Sequence, residues 1–463
     1  MKVLYRAAIC LALAAAQPLF AQEQRLSRVE AFIFANQLLT AGQPAAARAI
    51  SLTLVRLEPE NPETWMQLAQ AERALGQTEA SRAAARNARR FAKTDLQLYN
   101  AAILLADSFI QEKRFTRAQV WLRRARQAAP NAALKARVAQ DYKRVDRVNP
   151  LRYNFDFSLA PSSNINNGSR EDTAIFFFAG IPLEGSLSLD AQALSGYEAR
   201  VAAVAYDKNL GKGRSYTLSA RTDIRRYRFS SETKDDIDDA RDAGTTEDLP
   251  DVSDYAYDYF SVGGTYRFPI TKMYRGESTL TFGRLWYGGD PLARDASLMG
   301  SLVWSPTTRE ARRAYLRTTR RERSDTDTRS STTWELGYIA VFAPESGSRW
   351  VVSTSFSDTN AQSPTEAHQR AALNVSYTFA QPLWGTQVTT SLGVSVRRDD
   401  EPSFDRDPRV DRGTNLGATF FLRDQEIYGF APTISLTAER TDSNLSRYQT
   451  EEIGISFGLR SVF

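Results

Sequence analysis

The side chains that carry most enzymatic chemistry are nearly missing from this sequence. Of 463 residues one is histidine, His368, and one is cysteine, Cys10. A typical metal site needs several convergent ligands, so a single imidazole does not make one, and His368 reads as a plain polar position. No G-x-S-x-G, no H-E-x-x-H and no phosphate-cradling glycine loop occurs. The spacings that would gather a nucleophile, two imidazoles or a set of backbone donors are therefore lacking. No catalytic residue, no cofactor and no metal is expected, and the chain reads as a non-enzyme.

What the sequence has instead is charge, 59 Lys+Arg against 54 Asp+Glu. The segment 231–251, SETKDDIDDARDAGTTEDLPD, holds nine carboxylates against Lys234 and Arg241. It lacks the spacing of an ordered calcium site and is expected to be a hydrated, mobile loop. Arginines cluster at Arg221, Arg225, Arg226 and Arg228, then at Arg312, Arg313, Arg317, Arg320, Arg321 and Arg323, and at Arg397 and Arg398. Those at element ends would reach lipid headgroups, whereas Arg317 and Arg397 have the parity of an interior. Interior salt bridges and rim anchors are the plain reading. A positive conduit for an anionic polymer or an acidic protein segment is the functional one.

The N-terminal run MKVLYRAAICLALAAAQPLFAQ has Lys2 and Arg6 before an apolar stretch and small residues at Ala16 and Ala21, the pattern of a secretory signal peptide over 1–21. Cleavage there leaves 57 basic and 54 acidic residues and no thiol, which excludes disulfides and Cys-ligated metals. Ile9 stands before Cys10 where lipidation needs a small residue. Such export excludes nucleic acid as a partner.

The elements that would position any site change character near residue 150. From Arg25 to Val148, apolar residues recur three and four apart, as in Trp65, Leu68 and Ala69, and predict amphipathic helices. Gly42 and Gly76 lie 34 residues apart, each ending one helix before an Ala-rich second helix. That period with paired helices is similar to tetratricopeptide repeats. Pro59 and Pro130 are 71 apart, so the third unit carries a small insertion. Solenoids hold partners on the surface lined by their first helices, which makes Trp65, Gln67, Gln70 and Tyr99 the partner-binding candidates.

Beyond Pro150 the period becomes two. Trp334, Leu336, Tyr338, Ala340 and Phe342 oppose Thr333, Glu335 and Gly337, and the same alternation recurs to the C-terminus. Segments of this kind separated by turns predict a transmembrane β-barrel. Strand centres fall near 155, 200, 220, 261, 281, 301, 317, 335, 353, 373, 392, 416, 435 and 455, giving fourteen strands. The fold class expected is α+β multidomain: an N-terminal α-solenoid over 22–149, then an antiparallel fourteen-stranded barrel over 150–463. The connections 161–193 and 229–254 are the longest. Those at the other end are short, with Tyr274, Trp304, Phe342, Trp384 and Tyr428 beside them, where aromatic rings favour a membrane interface. The terminal Phe463 is expected to serve as the barrel C-terminal signal read by the outer-membrane assembly machinery.

Two segments carry a family likeness. PSSNINNGS, Pro161 to Ser169, follows strand one, and the closing hairpin, Ala431 to Phe463, contains Ser443, Asn444 and Tyr448. With helical repeats ahead of the barrel, the chain resembles the surface lipoprotein assembly modifier family, the type XI secretion outer-membrane component. The resemblance implies a translocator that moves surface lipoproteins or secreted partner proteins from the periplasm to the cell surface. It further implies a helical domain in the periplasm that recruits the client or a chaperone. A monomer among outer-membrane lipids and lipopolysaccharide is expected. Asn164, Ile165 and Asn166 form the motif loop, and short amide side chains there suit a turn-fixing role. The alternative is a polysaccharide-export or general diffusion porin with a basic lumen, which a continuous arginine ladder would favour.

Overall fold

The computed structural model describes residues 26–178, 181–211, 213–244, 249–402 and 407–463. The expected signal peptide lies outside them. The chain divides into two compact units at Val145 and Asp146.

Among the described residues the first unit has seven helices: α1 (Arg28–Thr40), α2 (Pro44–Leu57), α3 (Pro62–Ala74), α4 (Thr78–Phe91), α5 (Asp95–Gln111), α6 (Phe115–Ala128) and α7 (Ala132–Val148). Their starts are written in the sequence. Ser27 and Glu30 close a reciprocal capping box on α1, Thr94 and Gln97 do the same on α5, and the Asn61 side chain caps α3. Gly42 and Gly76 end helices in the left-handed conformation, at φ +71° and +74°. The third such position is Lys113, at φ +59°. It comes later than the period predicts because α5 has 17 residues where α1 and α3 have 13. The expected insertion is thus about one extra helical turn. Successive repeats are tied in register by Gln97 to Glu63 at 3.1 Å, Thr78 to Glu112 at 3.1 Å and the Arg73–Asp107 ion pair, each joining residues 34 apart. Ala69, Ala84, Ala85, Ala88 and Ala101 form the core with Leu68, Leu104 and Leu105. Their small side chains let the helices approach closely.

The second unit runs β1 (Leu151–Ser162), β2 (Thr173–Phe178), β3 (Ile181–Ser186), β4 (Gly196–Gly211), β5 (Arg214–Phe229), α8 (Ser231–Asp242), β6 (Tyr257–Pro269), β7 (Tyr274–Tyr287), β8 (Asp290–Trp304), β9 (Glu310–Arg323), β10 (Ser331–Phe342), β11 (Arg349–Ala361), β12 (His368–Thr378), β13 (Gln387–Asp399), β14 (Val410–Phe421), β15 (Phe430–Ser443) and β16 (Thr450–Ser461). Strand β1 and strands β4 to β16 close into one antiparallel barrel, while β2 and β3 make a separate hairpin. Each of the fourteen expected centres falls inside one of these strands. Leu298, Leu280, Leu316, Leu336 and Phe356 lie on the exposed outer face, with Leu280 opposite Leu298 and Leu336 opposite both Leu316 and Phe356. Such rows make the apolar band that faces lipid, and closure satisfies the backbone groups that hydrocarbon could not. Inside, Tyr315 folds over Gly337, where any Cβ would stand 2.2 Å from the ring.

One rim carries short turns. Trp384–Gly385 and Tyr428–Gly429 both have positive φ at the two central positions, the geometry of tight type I′ hairpins. The left-handed conformation costs a bulky residue about 1–2 kcal/mol, and in exchange Trp384 stands 86% exposed at the rim. Nearby, the Trp350 and Tyr377 rings lie 4.4 Å apart at a tilt of 44°, and Trp304 lies 6.1 Å from both Tyr274 and Tyr338.

The opposite rim carries the long connections and corrects one expectation. The acidic segment 231–251 is not a free loop: its first half is α8, capped by the Ser230 hydroxyl. Thr233 and Ile237, four residues apart, face inward, and Ile237 joins a cluster with Ile165, Leu194, Phe229 and Tyr255. One apolar face is enough to dock the helix, and its carboxylates point to water from the other.

The barrel closes unevenly. Among the described residues β1 meets β4 at ten register positions, with a bulge between Tyr153 and Asp156. It meets β16 at three: Ser158 with Gly458, Leu159 with Phe457 and Ser162 with Gly454. Among the described residues the β1–β16 seam therefore has the fewest paired positions in the barrel.

Candidate functional site

Of the four partner candidates on the helices, the fold leaves one exposed. Gln67 is 2% exposed, donating to the Phe32 carbonyl at 2.7 Å and accepting from the Ser51 hydroxyl at 3.1 Å. Tyr99 is buried among Ala102, Phe109 and Leu122. Trp65 packs half-buried on the first core cluster and donates its indole N–H to the Pro59 carbonyl at 2.7 Å. Only Gln70 faces solvent. The correction has a simple cause: α3 has neighbours on several sides, so consecutive residues 66 to 69 are all buried. Gln67 and Tyr99 hold the solenoid together rather than lining its surface.

The motif loop and the closing hairpin are brought together at the long-loop rim, because β1 and β16 are neighbours. The Asn164 side chain accepts from Gly168 N at 2.8 Å and donates to its carbonyl at 2.9 Å, bracing the turn from within. Ile165 is buried in the rim cluster. Asn166 donates to the Asp190 and Gln192 carbonyls at 2.8 and 2.6 Å and accepts from Leu194 N at 2.9 Å, so one amide holds the returning strand of the loop. On the other side Asn444 accepts from Val410 N at 2.6 Å and donates to the Pro408 carbonyl at 3.0 Å, while Ser443 Oγ accepts from Leu445 N at 3.2 Å. Arg170 joins the two loops through Gln449, with N–H to carbonyl at 2.9 Å and side chain to side chain at 2.6 Å. Phe463 follows β16 and donates its N–H to Ser461 Oγ at 3.4 Å. Removing the buried Asn164 amide orphans both groups of Gly168, which costs about 1–3 kcal/mol per unsatisfied group. Asn164→Ala is expected to raise protease cleavage within 162–195 on intact cells while the barrel itself stays folded, read by limited proteolysis and heat-modified migration on a gel.

The lumen face is an array of arginines around buried carboxylates. Glu277, 4% exposed, is met by Arg313 at 2.6 Å, Arg267 at 3.3 Å and Arg275 at 3.5 Å. Asp223 takes Arg200 through both oxygens at 2.9 and 2.6 Å, with Arg225 at 3.6 Å and Arg221 at 3.9 Å. Asp295 takes Arg321 at 2.8 and 2.9 Å, and Glu335 takes Arg317 at 3.4 Å and the Tyr315 hydroxyl at 2.5 Å. Arg397 pairs with Asp399 at 2.8 Å. Arg317 and Arg397 thus sit on the interior parity read from the sequence, with acidic partners. The carboxylates are what sequence reasoning missed. The available signal was parity: Glu277 lies on the opposite face of β7 from Leu280 and Phe282, and Asp295 on the opposite face of β8 from Leu298. On the outer side near the rims, Arg226 pairs with Asp258 at 2.9 Å. Among the described residues no group of three or more His, Cys, Asp or Glu side chains is placed to hold a metal ion.

Residues 302–460 match the family model described as surface lipoprotein assembly modifier. That stretch runs from the end of β8 through nearly all of β16 and takes in most of the closing hairpin, Ala431 to Phe463, while the Pro161–Ser169 segment lies outside it. A closed barrel with an apolar outer band and this family match places the chain in the outer membrane. No curated protein matches the chain. Among solved structures, the helical unit is similar to the TPR2B domain of yeast Sti1 in its pHsp70 complex, at 19% identity over 26% of this chain and 96% of that one, TM-score 0.25. It is also similar to the Yersinia enterocolitica type III secretion translocator chaperone SycD, at 16% identity over 27% and 90%, TM-score 0.24. The barrel is similar to OmpT with loop L8 deleted, an outer membrane protein of Vibrio cholerae, at 10% identity over 68% and 99%, TM-score 0.34.

Proposed function

We propose that this protein is an outer-membrane translocator that delivers surface lipoproteins or secreted partner proteins from the periplasm to the cell surface. The observation that carries the reading is the match of residues 302–460 to the surface lipoprotein assembly modifier family, on a closed barrel that follows a helical-repeat unit. The repeat unit, residues 22–149, lies in the periplasm and recruits the client or its chaperone through its exposed surface, to which Gln70 contributes. The barrel, residues 150–463, is inserted by the assembly machinery through Phe463 and stands among lipopolysaccharide and outer-membrane lipids. The client crosses without nucleotide hydrolysis.

A lipid-anchored client poses a physical demand that a plain pore does not meet. Its acyl chains must end in the bilayer while its polypeptide ends in water. A wall that opens supplies such a path, and the β1–β16 seam, with three register positions among the described residues, is the least paired place for it to open. The porin alternative is weakened in its favouring feature, because Arg200, Arg313, Arg321, Arg317 and Arg397 are each seated on a carboxylate, Asp223, Glu277, Asp295, Glu335 and Asp399, which interrupts any continuous ladder of unpaired charge.

Deleting residues 22–149 behind a retained signal tests recruitment. The barrel is expected to insert, judged by heat-modified migration, while surface display of the client falls to the level of cells lacking the gene. Unchanged display with an inserted barrel would remove the repeats from the mechanism.

A further inference from the structure

We propose that the lumen mouth at the long-loop rim holds a binding site for a phosphate-type oxyanion, built from Arg370, Arg397 and Arg409. The site goes beyond the translocation reading and stands without it. A cavity of about 240 Å³ opens there, lined by these arginines, Arg447, His368 and Asp411, with Asn167 and Tyr448 at its edge.

Three strands set the charges in one row. Arg370 on β12 is directly opposite Arg397 on β13, which is opposite Asp411 on β14. Two like charges facing each other across a ladder are unfavourable unless something of opposite sign lies between them. Arg397 is held to one side: its Nε donates to Asp399 at 2.8 Å and its Nη2 to the Thr365 carbonyl at 2.9 Å. Arg409 is fixed on Asp411 at 2.9 and 2.6 Å, and its guanidinium lies 3.6 Å from the centre of the Tyr448 ring. Both carboxylates of the site are thereby committed. Arg370 is exposed and, among the described residues, has no carboxylate within ion-pair distance. Among the described residues Arg370 adds a third guanidinium to Arg397 and Arg409, whose partners are Asp399 and Asp411, and so leaves a positive charge for an oxyanion to neutralise. Asp400, Glu401 and Asp407 of the following loop are not in the cavity wall.

The remaining wall is polar and pre-organised. Asn167 reaches the cavity from a left-handed backbone, φ +55°, immediately after the braced Asn164–Asn166 turn. Tyr448 comes from the β15–β16 connection. The two sequence segments with the family likeness therefore both supply wall residues, Asn167 from the first and Thr441, Arg447, Tyr448 and Thr450 from the second. Planar guanidiniums already oriented by carboxylates lose little freedom on binding, and fork-shaped donors match phosphate oxygens. The cavity has room for a phosphate and the atoms next to it, not for a folded chain. The phosphate can come free in solution or as a phosphorylated sugar of lipopolysaccharide at the rim.

The test is thermal unfolding of the full-length protein in detergent, titrated with inorganic phosphate at ionic strength held constant with chloride. A saturable rise in Tm is expected, with an apparent Kd raised about tenfold in Arg370→Gln. Arg412→Gln, on the outer face, should leave the titration unchanged. Arg370→Lys, which keeps the charge but not the fork, serves if Arg370→Gln does not fold, and is expected to weaken binding too. The two sources separate in vesicles. If intact lipopolysaccharide abolishes the phosphate response and dephosphorylated lipopolysaccharide restores it, the lipid supplies the group; a response in both assigns free phosphate. A response in detergent that does not saturate, or that is the same in the Arg370 variant as in the parent, overturns the proposal.

Discussion

A disulfide between Leu159→Cys and Phe457→Cys, in a chain with Cys10→Ser, is expected to abolish surface display of the client and to release it again on reduction. These residues are register partners across the β1–β16 seam, on the outer face. Paired antiparallel Cα atoms lie about 4.5–5.5 Å apart, within the span a disulfide bridges. The other seam pairs suit this less well, because a side chain at Gly458 would meet the Phe157 carbonyl at 2.8 Å and one at Gly454 the Thr437 hydroxyl at 2.9 Å. The same bond placed between Leu336→Cys and Phe356→Cys, in the fully paired β10–β11 ladder, is the control and should leave display intact. Loss of display in both would mean that the bond harms the barrel generally. Display that survives a locked seam would remove the wall from the route and leave the lumen.

Glu277→Ala is expected to destabilise the barrel more than any other single lumen substitution. It strips the shared carboxylate from Arg313, Arg267 and Arg275 at once. Breaking a buried pair costs about 3–5 kcal/mol. The arginine side chains are 30–51% open to the lumen, and solvent there screens part of the loss. An effect of about 2–3 kcal/mol remains, read as a lower denaturant midpoint with unchanged slope in vesicle-inserted protein. Arg397→Gln, which removes one arginine from Asp399, should cost less because its partner is not shared three ways. Equal midpoints for Glu277→Ala and the parent would mean that the lumen arginines are held by something other than this carboxylate.

The barrel was legible because lipid enforces a strict period. Every second residue must be apolar over a strand such as Trp334 to Phe342, so both the strands and the inward parity of Arg317 and Arg397 could be read directly. The short-turn rim was legible through the aromatics beside it, such as Trp384 and Tyr428. The seam was not, since the number of ladder bonds between β1 and β16 depends on the bulge at Tyr153–Asp156 and on strand stagger, neither of which composition encodes. Helix α8 was misread because charge density was weighed without the spacing of Thr233 and Ile237. Gln67 and Tyr99 were misplaced on the surface for a related reason: the 3.6-residue period puts them on a helix, but which helices flank α3 and α5 is a tertiary fact. Asn164 and Asn166 were singled out as turn formers, yet their partners, as far along the chain as Gln192 and Leu194, emerge only once the loop has folded back.

The central claim is tested most directly by protease shaving and surface proteomics of intact cells with and without the gene. The account predicts that one or a few lipoproteins or secreted proteins disappear from the surface or medium and accumulate inside, while total abundance of other outer-membrane proteins holds. An unchanged surface proteome, with altered capsule or small-solute uptake, would contradict it.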